Sequence, residues 1–161
     1  MQSKDVSTVD FLRNKNIFKD LDEYEFMKVL QFSKKRYFPK NSVIIEESSE
    51  GGNLYFIKGG SVRVCRVGAD GRREAIIDLC PDEYFGEISF VDNEPRSATV
   101  VAAEDAEIIE FDRNAFMRFL NDNKDIGFKV YWALAHIFCY RLRDTTDYLT
   151  LFINRSKYDI N

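Results

Sequence analysis

The chain has 161 residues, 45% of them hydrophobic and 31% charged, with a formal net charge of −4. That length suits one domain with a sizeable core. The acidic balance argues against an activity built on nucleic-acid phosphates, which needs clustered Lys and Arg, but it allows a small anion held by one Arg.

The first ten residues, MQSKDVSTVD, are too polar for a secretory leader. Residues 8–35 predict helix, because Ile17, Phe18, Leu21, Phe26, Val29 and Leu30 recur at helical spacings and Asp22 with Glu25 forms a capping box. From residue 37 to residue 111 the period changes. Short β-branched or alternating runs follow one another: VII (43–45), LYFI (54–57), VRVCRV (62–67), AIIDL (75–79), ATVVA (98–102) and EIIEF (107–111), most of them separated by turn sequences such as EGGN, KGGS, GADG and NEP. Strands about ten residues apart predict a sandwich, jelly roll or small barrel. Asp112 caps a helix over RNAFMRFL, NDNKD breaks it, and a long helix runs from about residue 126 to residue 152. The longest apolar run, VYWALAHIF (130–138), is too short to span a bilayer, so a cytoplasmic protein without a membrane segment is expected. Three widely spaced cysteines, Cys65, Cys80 and Cys139, match no zinc pattern.

The long helix carries two apolar faces. Phe128, Tyr131, Ala135, Phe138, Leu142, Thr145, Leu149 and Phe152 form a heptad seam, while Ile126, Val130, Ala133, Ile137 and Tyr140 form another stripe. Two apolar faces imply two partners: the chain's own barrel, and the same helix of a second copy. A homodimer through residues 128–152 is the expectation.

The densest chemistry lies in FGEISFVDNEPRSATVVA, residues 85–102. Gly86 stands where a strand pattern gives way to the short helical turn EISFV. A glycine lets backbone approach a ligand, and helix-start N–H groups favour anions. The Arg96 guanidinium can grip a phosphate through two parallel charge-assisted hydrogen bonds. Glu87 repels an anion, but its carboxylate accepts hydrogen bonds from hydroxyls such as a ribose 2′-OH. Two readings stand: a site for a ligand with phosphate and sugar hydroxyl close together, or a Glu87–Arg96 salt bridge holding the turn. No GxxxxGK[ST] cradle and no carboxylate cluster for magnesium is present, so a singly charged phosphodiester fits better than a triphosphate.

This stretch resembles the phosphate-binding cassette of cyclic nucleotide-binding domains, of the type in catabolite activators and cAMP-dependent kinase regulatory subunits. The resemblance extends to LYFIKGGSVRV (54–64), with Gly60 at the turn, and to GADGRREAIIDLCPDEYFGE (68–87). Asn41 and Ser48 stand where that family often has glycines. The resemblance implies a mainly β fold with flanking helices: an eight-stranded jelly-roll β-barrel (double-stranded β-helix), its two extra strands falling in KKRYF and PDEYF. One domain would occupy residues 1–161, helical over 8–35, barrel over 37–111 and a helix hairpin over 112–152. It also implies site roles. Glu87 would accept the ribose 2′-OH, and Arg96 would pair with the cyclic phosphate. Backbone N–H groups around Gly86, Ile88, Ser89 and Ala98 would complete the cradle, with the Ser97 hydroxyl reaching a phosphate oxygen. Val64, Ile76 and Phe85 would line the apolar side. Thr145 and Thr146, in RLRDTTDYL, match a hydroxyl pair that touches the base; Thr145 is also the only polar seam member, and bonding back to its own helix is the other reading. Ser97 beside Arg96 favours cAMP as the ligand, with cGMP possible.

Nine residues follow Phe152, too few for a helix-turn-helix. The expectation is therefore a stand-alone, non-enzymatic sensor. It would need no cofactor or metal, bind no nucleic acid by itself, and act by rearranging its C-terminal helix toward an unknown protein partner. Two alternatives remain: a scaffold of the same fold that no longer binds nucleotide, and a metal-dependent cupin-like enzyme. The second is opposed by the single His136, which lies on the long helix.

Overall fold

The structure, a computed structural model, describes residues 6–158. Eight strands form two four-stranded antiparallel sheets that face each other: β1 (Ser33–Phe38), β8 (Ala106–Phe111), β3 (Leu54–Gly59) and β6 (Tyr84–Phe85) in one, β2 (Val43–Ile45), β7 (Thr99–Ala102), β4 (Val62–Val67) and β5 (Arg73–Leu79) in the other. This is the expected jelly-roll architecture, and the two strands anticipated in KKRYF and PDEYF are β1 and β6.

Strand β3 is buried on both faces, which explains the unbroken LYFI run. Leu54 and Phe56 point to one core, which the helices cover, and Tyr55 and Ile57 point to a second core between the sheets. β8 divides likewise, with Ile109 and Phe111 under the helices and Ile108 inside the barrel. Strand β1 hides from an apolar pattern search because most of its side chains are solvated. It pairs with β8 from Ser33 opposite Phe111 to Phe38 opposite Ala106, and Lys35 meets Glu107 at 3.1 Å.

The N-terminal helical region is not one helix over 8–35. It consists of α1 (Val6–Arg13), a single 3-10 turn (Asn16–Phe18) and α2 (Glu23–Leu30), and the chain is already in strand at Ser33. Polar breaks at Asn14–Lys15 and around Asp20 and Asp22 interrupt the apolar period. The Asp22–Glu25 capping box forms in both directions, at 2.8 and 2.9 Å, and starts α2. Helix α4 (Arg113–Asp122) begins where the Asp112 carboxylate accepts from the Ala115 N–H at 2.8 Å.

Helix α5 (Lys124–Tyr158) is 35 residues long, or about 50 Å at 1.5 Å per residue. Ile126, Val130, Ala133, Leu134 and Ile137 bury one face on the molecule's own core. Tyr131 and Phe138 of the expected seam also lean on this core, and Tyr140, expected there, is 71% exposed. The seam is thus shorter than its sequence pattern. Beyond Arg141 the helix projects into solvent with Leu142, Leu149 and Phe152 uncovered. Among the described residues no helix is long and apolar enough to cross a membrane.

Candidate functional site

The site is built around a reversal of backbone direction after β6. Gly86 has φ of 82° and caps α3 (Glu87–Asp92). A Cβ there would lie 2.7 Å from the Asn53 carbonyl oxygen and 2.9 Å from Arg96 Nη1, so only glycine fits both the conformation and the space. Within α3 the first N–H to find a local backbone acceptor is that of Phe90, on the Gly86 carbonyl at 3.1 Å. The preceding N–H groups, those of Glu87, Ile88 and Ser89, have no partner in the helix itself.

Arg96 is held by its backbone and by its head. Its N–H donates to Ser49 O at 3.0 Å and its carbonyl accepts from Ser48 N at 2.8 Å, which joins it to the β2–β3 loop. That loop turns through Ser48 at φ 63°, and Asn41 sits at φ 69°. Both non-glycine residues therefore adopt the left-handed conformation that glycine would take more easily. The guanidinium donates to Gly86 O at 3.2 Å and to Asn53 O at 3.0 Å. Arg96 is 6% exposed and, among the described residues, forms no ion pair. The salt-bridge reading of the Glu87–Arg96 pair is thus not what the fold adopts. Burial lowers the guanidinium pKa from its ordinary value, with Tyr55 and Glu87 pulling the other way.

Asn53, in the EGGN turn, ties this head to the rest of the fold. Its carbonyl holds Arg96, its Oδ1 accepts from the Arg113 N–H at 3.0 Å, and its Nδ2 donates to Glu110 at 2.7 Å. Arg113 also donates from Nε to Phe90 O at 2.8 Å, so the start of α4 holds α3.

Glu87, 3% exposed, accepts instead from Nη1 of Arg141 on α5. The Arg141 Nη2 donates to Tyr84 O at 3.0 Å, and its guanidinium lies 4.7 Å over the Tyr84 ring. Burial pushes the Glu87 carboxyl above the usual carboxylate range, against the pull of Arg141 and Arg96.

A cavity of about 460 Å³ opens between these groups and α5. It lies within the ordinary range for small-ligand sites. Of the sequence-predicted residues, Val64, Phe85, Gly86, Glu87, Ile88, Ser89, Arg96, Ser97, Ala98 and Thr145 line it. Two do not. Ile76 is 58% exposed, and the wall is made by Ile77, which pairs with Val64 in register. Neighbouring strand residues face opposite sides, and the ladder also shifts between Val64 and Cys65, which skips Ile76. Thr146 lies outside the cavity and bonds its own helix at Leu142 O, 2.8 Å. Thr145 likewise donates to Arg141 O at 2.8 Å, the back-bonding alternative, although it does line the cavity.

Sequence reasoning missed Asn53, Arg141 and Asp144. Asn53 acts through its backbone carbonyl, which no side-chain pattern marks. Arg141 and Asp144 lie within the RLRDTTDYL segment, where the threonines drew notice, and a cation there one helical turn before Thr145 was the available signal.

Comparison with known proteins places these features in context. The profile of the cyclic nucleotide-binding domain matches residues 35–123. A cAMP-dependent protein kinase regulatory subunit of Debaryomyces hansenii is 31% identical over 117 residues, covering 73% of this chain and 25% of that protein. The cGMP-dependent protein kinase 2 of Homo sapiens is 30% identical over 117 residues, covering 71% of this chain and 15% of that protein. The crystal structure of the Thermus thermophilus catabolite activator protein superposes with a TM-score of 0.73 at 29% identity, covering 86% of this chain and 63% of that one. The chain thus spans a quarter or less of the two kinase-related proteins.

The raised Glu87 pKa gives a pH signature. A carboxyl that holds its proton more tightly folded than unfolded binds more protons in the native state, so its contribution to stability falls as pH rises from the ordinary carboxylate range through the folded pKa. A Glu87→Gln variant does not titrate. Its melting temperature relative to the parent should therefore rise with pH across that window in thermal unfolding scans. A difference independent of pH, or one falling with pH, would remove desolvation as the dominant effect on Glu87.

Proposed function

Since the chain belongs to the cyclic nucleotide-binding domain family, we propose that it is a non-enzymatic sensor of a 3′,5′-cyclic purine nucleotide. The observation that carries this reading is Arg96: a nearly sealed guanidinium that forms no ion pair among the described residues, beside a cavity whose wall also carries a buried acid. Removing a cation from water costs several kcal/mol, and an uncompensated one is held at a loss. A monoanionic cyclic phosphate entering the cavity offsets that cost.

Arg96 takes the phosphate, and the N–H groups of Gly86, Ile88, Ser89 and Ala98, with the Ser97 hydroxyl, complete the cradle. Glu87 accepts the ribose 2′-OH, and Val64, Ile77 and Phe85 form the apolar wall. Ser97 beside Arg96 supports cAMP, with cGMP the alternative. Helix α5 carries the signal. Arg141 occupies the Glu87 carboxylate that the ribose needs, so ligand and helix exchange partners there, and a ligand shifts an equilibrium only through such differential contacts. The whole chain acts as one such module in the cytoplasm, passing its state to a protein partner. Its second copy meets it through the uncovered stripe of Leu142, Leu149 and Phe152, three seam residues that stand exposed in one chain.

Titration calorimetry on the parent chain, Arg96→Leu and Arg141→Ala tests the site. The parent binds one cyclic nucleotide per chain, Arg96→Leu weakens binding by about 1.5–3 kcal/mol, the scale of a hydrogen bond to a charged group, and Arg141→Ala strengthens it. Equal affinity for Arg96→Leu would remove that residue from the site, and unchanged affinity for Arg141→Ala would remove the helix exchange. No binding of either nucleotide would favour the scaffold reading. Sedimentation equilibrium should give a dimer mass; a monomer at high micromolar concentration would dismiss the shared stripe.

A further inference from the structure

Independently of how the nucleotide cavity is read, we infer that a second cavity of this fold is a binding site for a zwitterion, an apolar α-amino acid. It has a volume of about 340 Å³ and lies between the N-terminal 3-10 turn, the chain that leads into β6, and α5. That is room for one small molecule. Ile17, Phe56, Tyr84 and Ile137 supply its apolar wall. Among the described residues, Lys15 and Asp82 are the charged members of that wall, and Asn14 and Asn16 add uncharged amides. The Lys15 side chain is 9% exposed. Its ammonium carries three N–H donors; it bonds Oδ1 of Asp82 and lies 3.9 Å over the Phe11 ring, and among the described residues it makes no other hydrogen bond. A buried ammonium is costly unless its protons are paired. Asp82 reaches solvent and is bonded through one carboxylate oxygen only. Its backbone is left-handed, with φ of 78°, a conformation that glycine or asparagine takes more readily. The turn itself therefore does not call for a carboxylate.

The ion pair decides the charge of the ligand. A carboxylate drawn to Lys15 comes up against Asp82, and an amine drawn to Asp82 comes up against Lys15. A ligand with one charge is therefore repelled beside the contact that it gains. An α-amino acid carries both charges on one carbon, about as close together as the two heads of a salt bridge. Its carboxylate takes an N–H of Lys15 and its ammonium takes Oδ2 of Asp82. Four charges then alternate in sign, and the Lys15–Asp82 bond stays unbroken. The side chain of the amino acid lies on Ile17, Tyr84 and Ile137. A branched aliphatic or aromatic side chain suits that wall, whereas a polar one would leave its own groups unpaired there. Asp82 and Tyr84 also border the nucleotide cavity, so the two sites share a wall.

Nuclear magnetic resonance titration of the full chain, labelled at its isoleucine and valine methyls, tests this with L-leucine and L-phenylalanine as probes. At least one of the two should give saturable shifts that are larger at Ile17 and Ile137 than at Val64 and Val100, which line the nucleotide cavity. The matching acid without the amine, and the matching amine without the carboxylate, should each bind about tenfold more weakly or worse, the scale of one hydrogen bond to a charged group. Asp82→Asn keeps a residue that tolerates the turn and should weaken binding by about the same factor. Lys15→Met should do so as well, and the melting temperatures of both ligand-free variants check their folding. No saturable shift with either amino acid, equal binding of a singly charged analogue, unchanged affinity in folded Asp82→Asn, or larger shifts at Val64 and Val100 would each overturn the inference. None of these outcomes depends on whether a cyclic nucleotide binds.

Discussion

The site depends on one buried cation that, among the described residues, forms no ion pair. Arg96 is held by two backbone carbonyls, those of Gly86 and Asn53, and carbonyl dipoles only partly replace the water it has lost. Its position is fixed from several sides: the Ser48–Ser49 loop holds its main chain, the left-handed Gly86 leaves room for its head, and Asn53 joins that head to β8 and to the start of α4. A charge so restrained cannot turn away to solvent. On the proposed reading the anion meets a group already held in place, which lowers the ordering cost of binding.

The second consequence runs through α5. That helix buries its first half on the molecule's own core, through Ile126, Val130, Leu134 and Ile137, and then leaves the surface. Arg141 stands at the point of departure, bonded to Glu87 and to the Tyr84 carbonyl. One residue thus sits between the packed half and the projecting half. On the proposed reading a ligand that displaces Arg141 from Glu87 would act on the projecting half, and by linkage a partner holding that half would change ligand affinity in return.

Much of this was legible in the sequence, for identifiable reasons. Strands β2, β3, β4, β5, β7 and β8 carry period-two or unbroken apolar patterns between turn residues, and the caps at Asp22 and Asp112 announce their helices. Strand β1 announces less, because charged side chains such as Lys34 and Arg36 face water. The N-terminal segment reads as helical through residue 35 because apolar spacing survives across the breaks at Asn14 and Asp20 and into the start of β1. In the site, residues acting through side chains close in sequence, Glu87 and Arg96, were readable. The strand pattern points to Ile76 where the cavity wall is Ile77, because a strand's facing parity cannot be read across a register shift. The Glu87–Arg141 contact spans 54 positions, and no local pattern encodes it.

The central claim is that the Arg96 guanidinium receives a cyclic phosphate. A crystal structure of the chain with a 3′,5′-cyclic nucleotide tests it most directly. The account predicts both terminal nitrogens of Arg96 within hydrogen-bond distance of phosphate oxygens, and the ribose hydroxyl on Glu87 in place of Arg141. A nucleotide bound elsewhere, or one in this cavity with Arg96 still turned only to the Gly86 and Asn53 carbonyls, would contradict it.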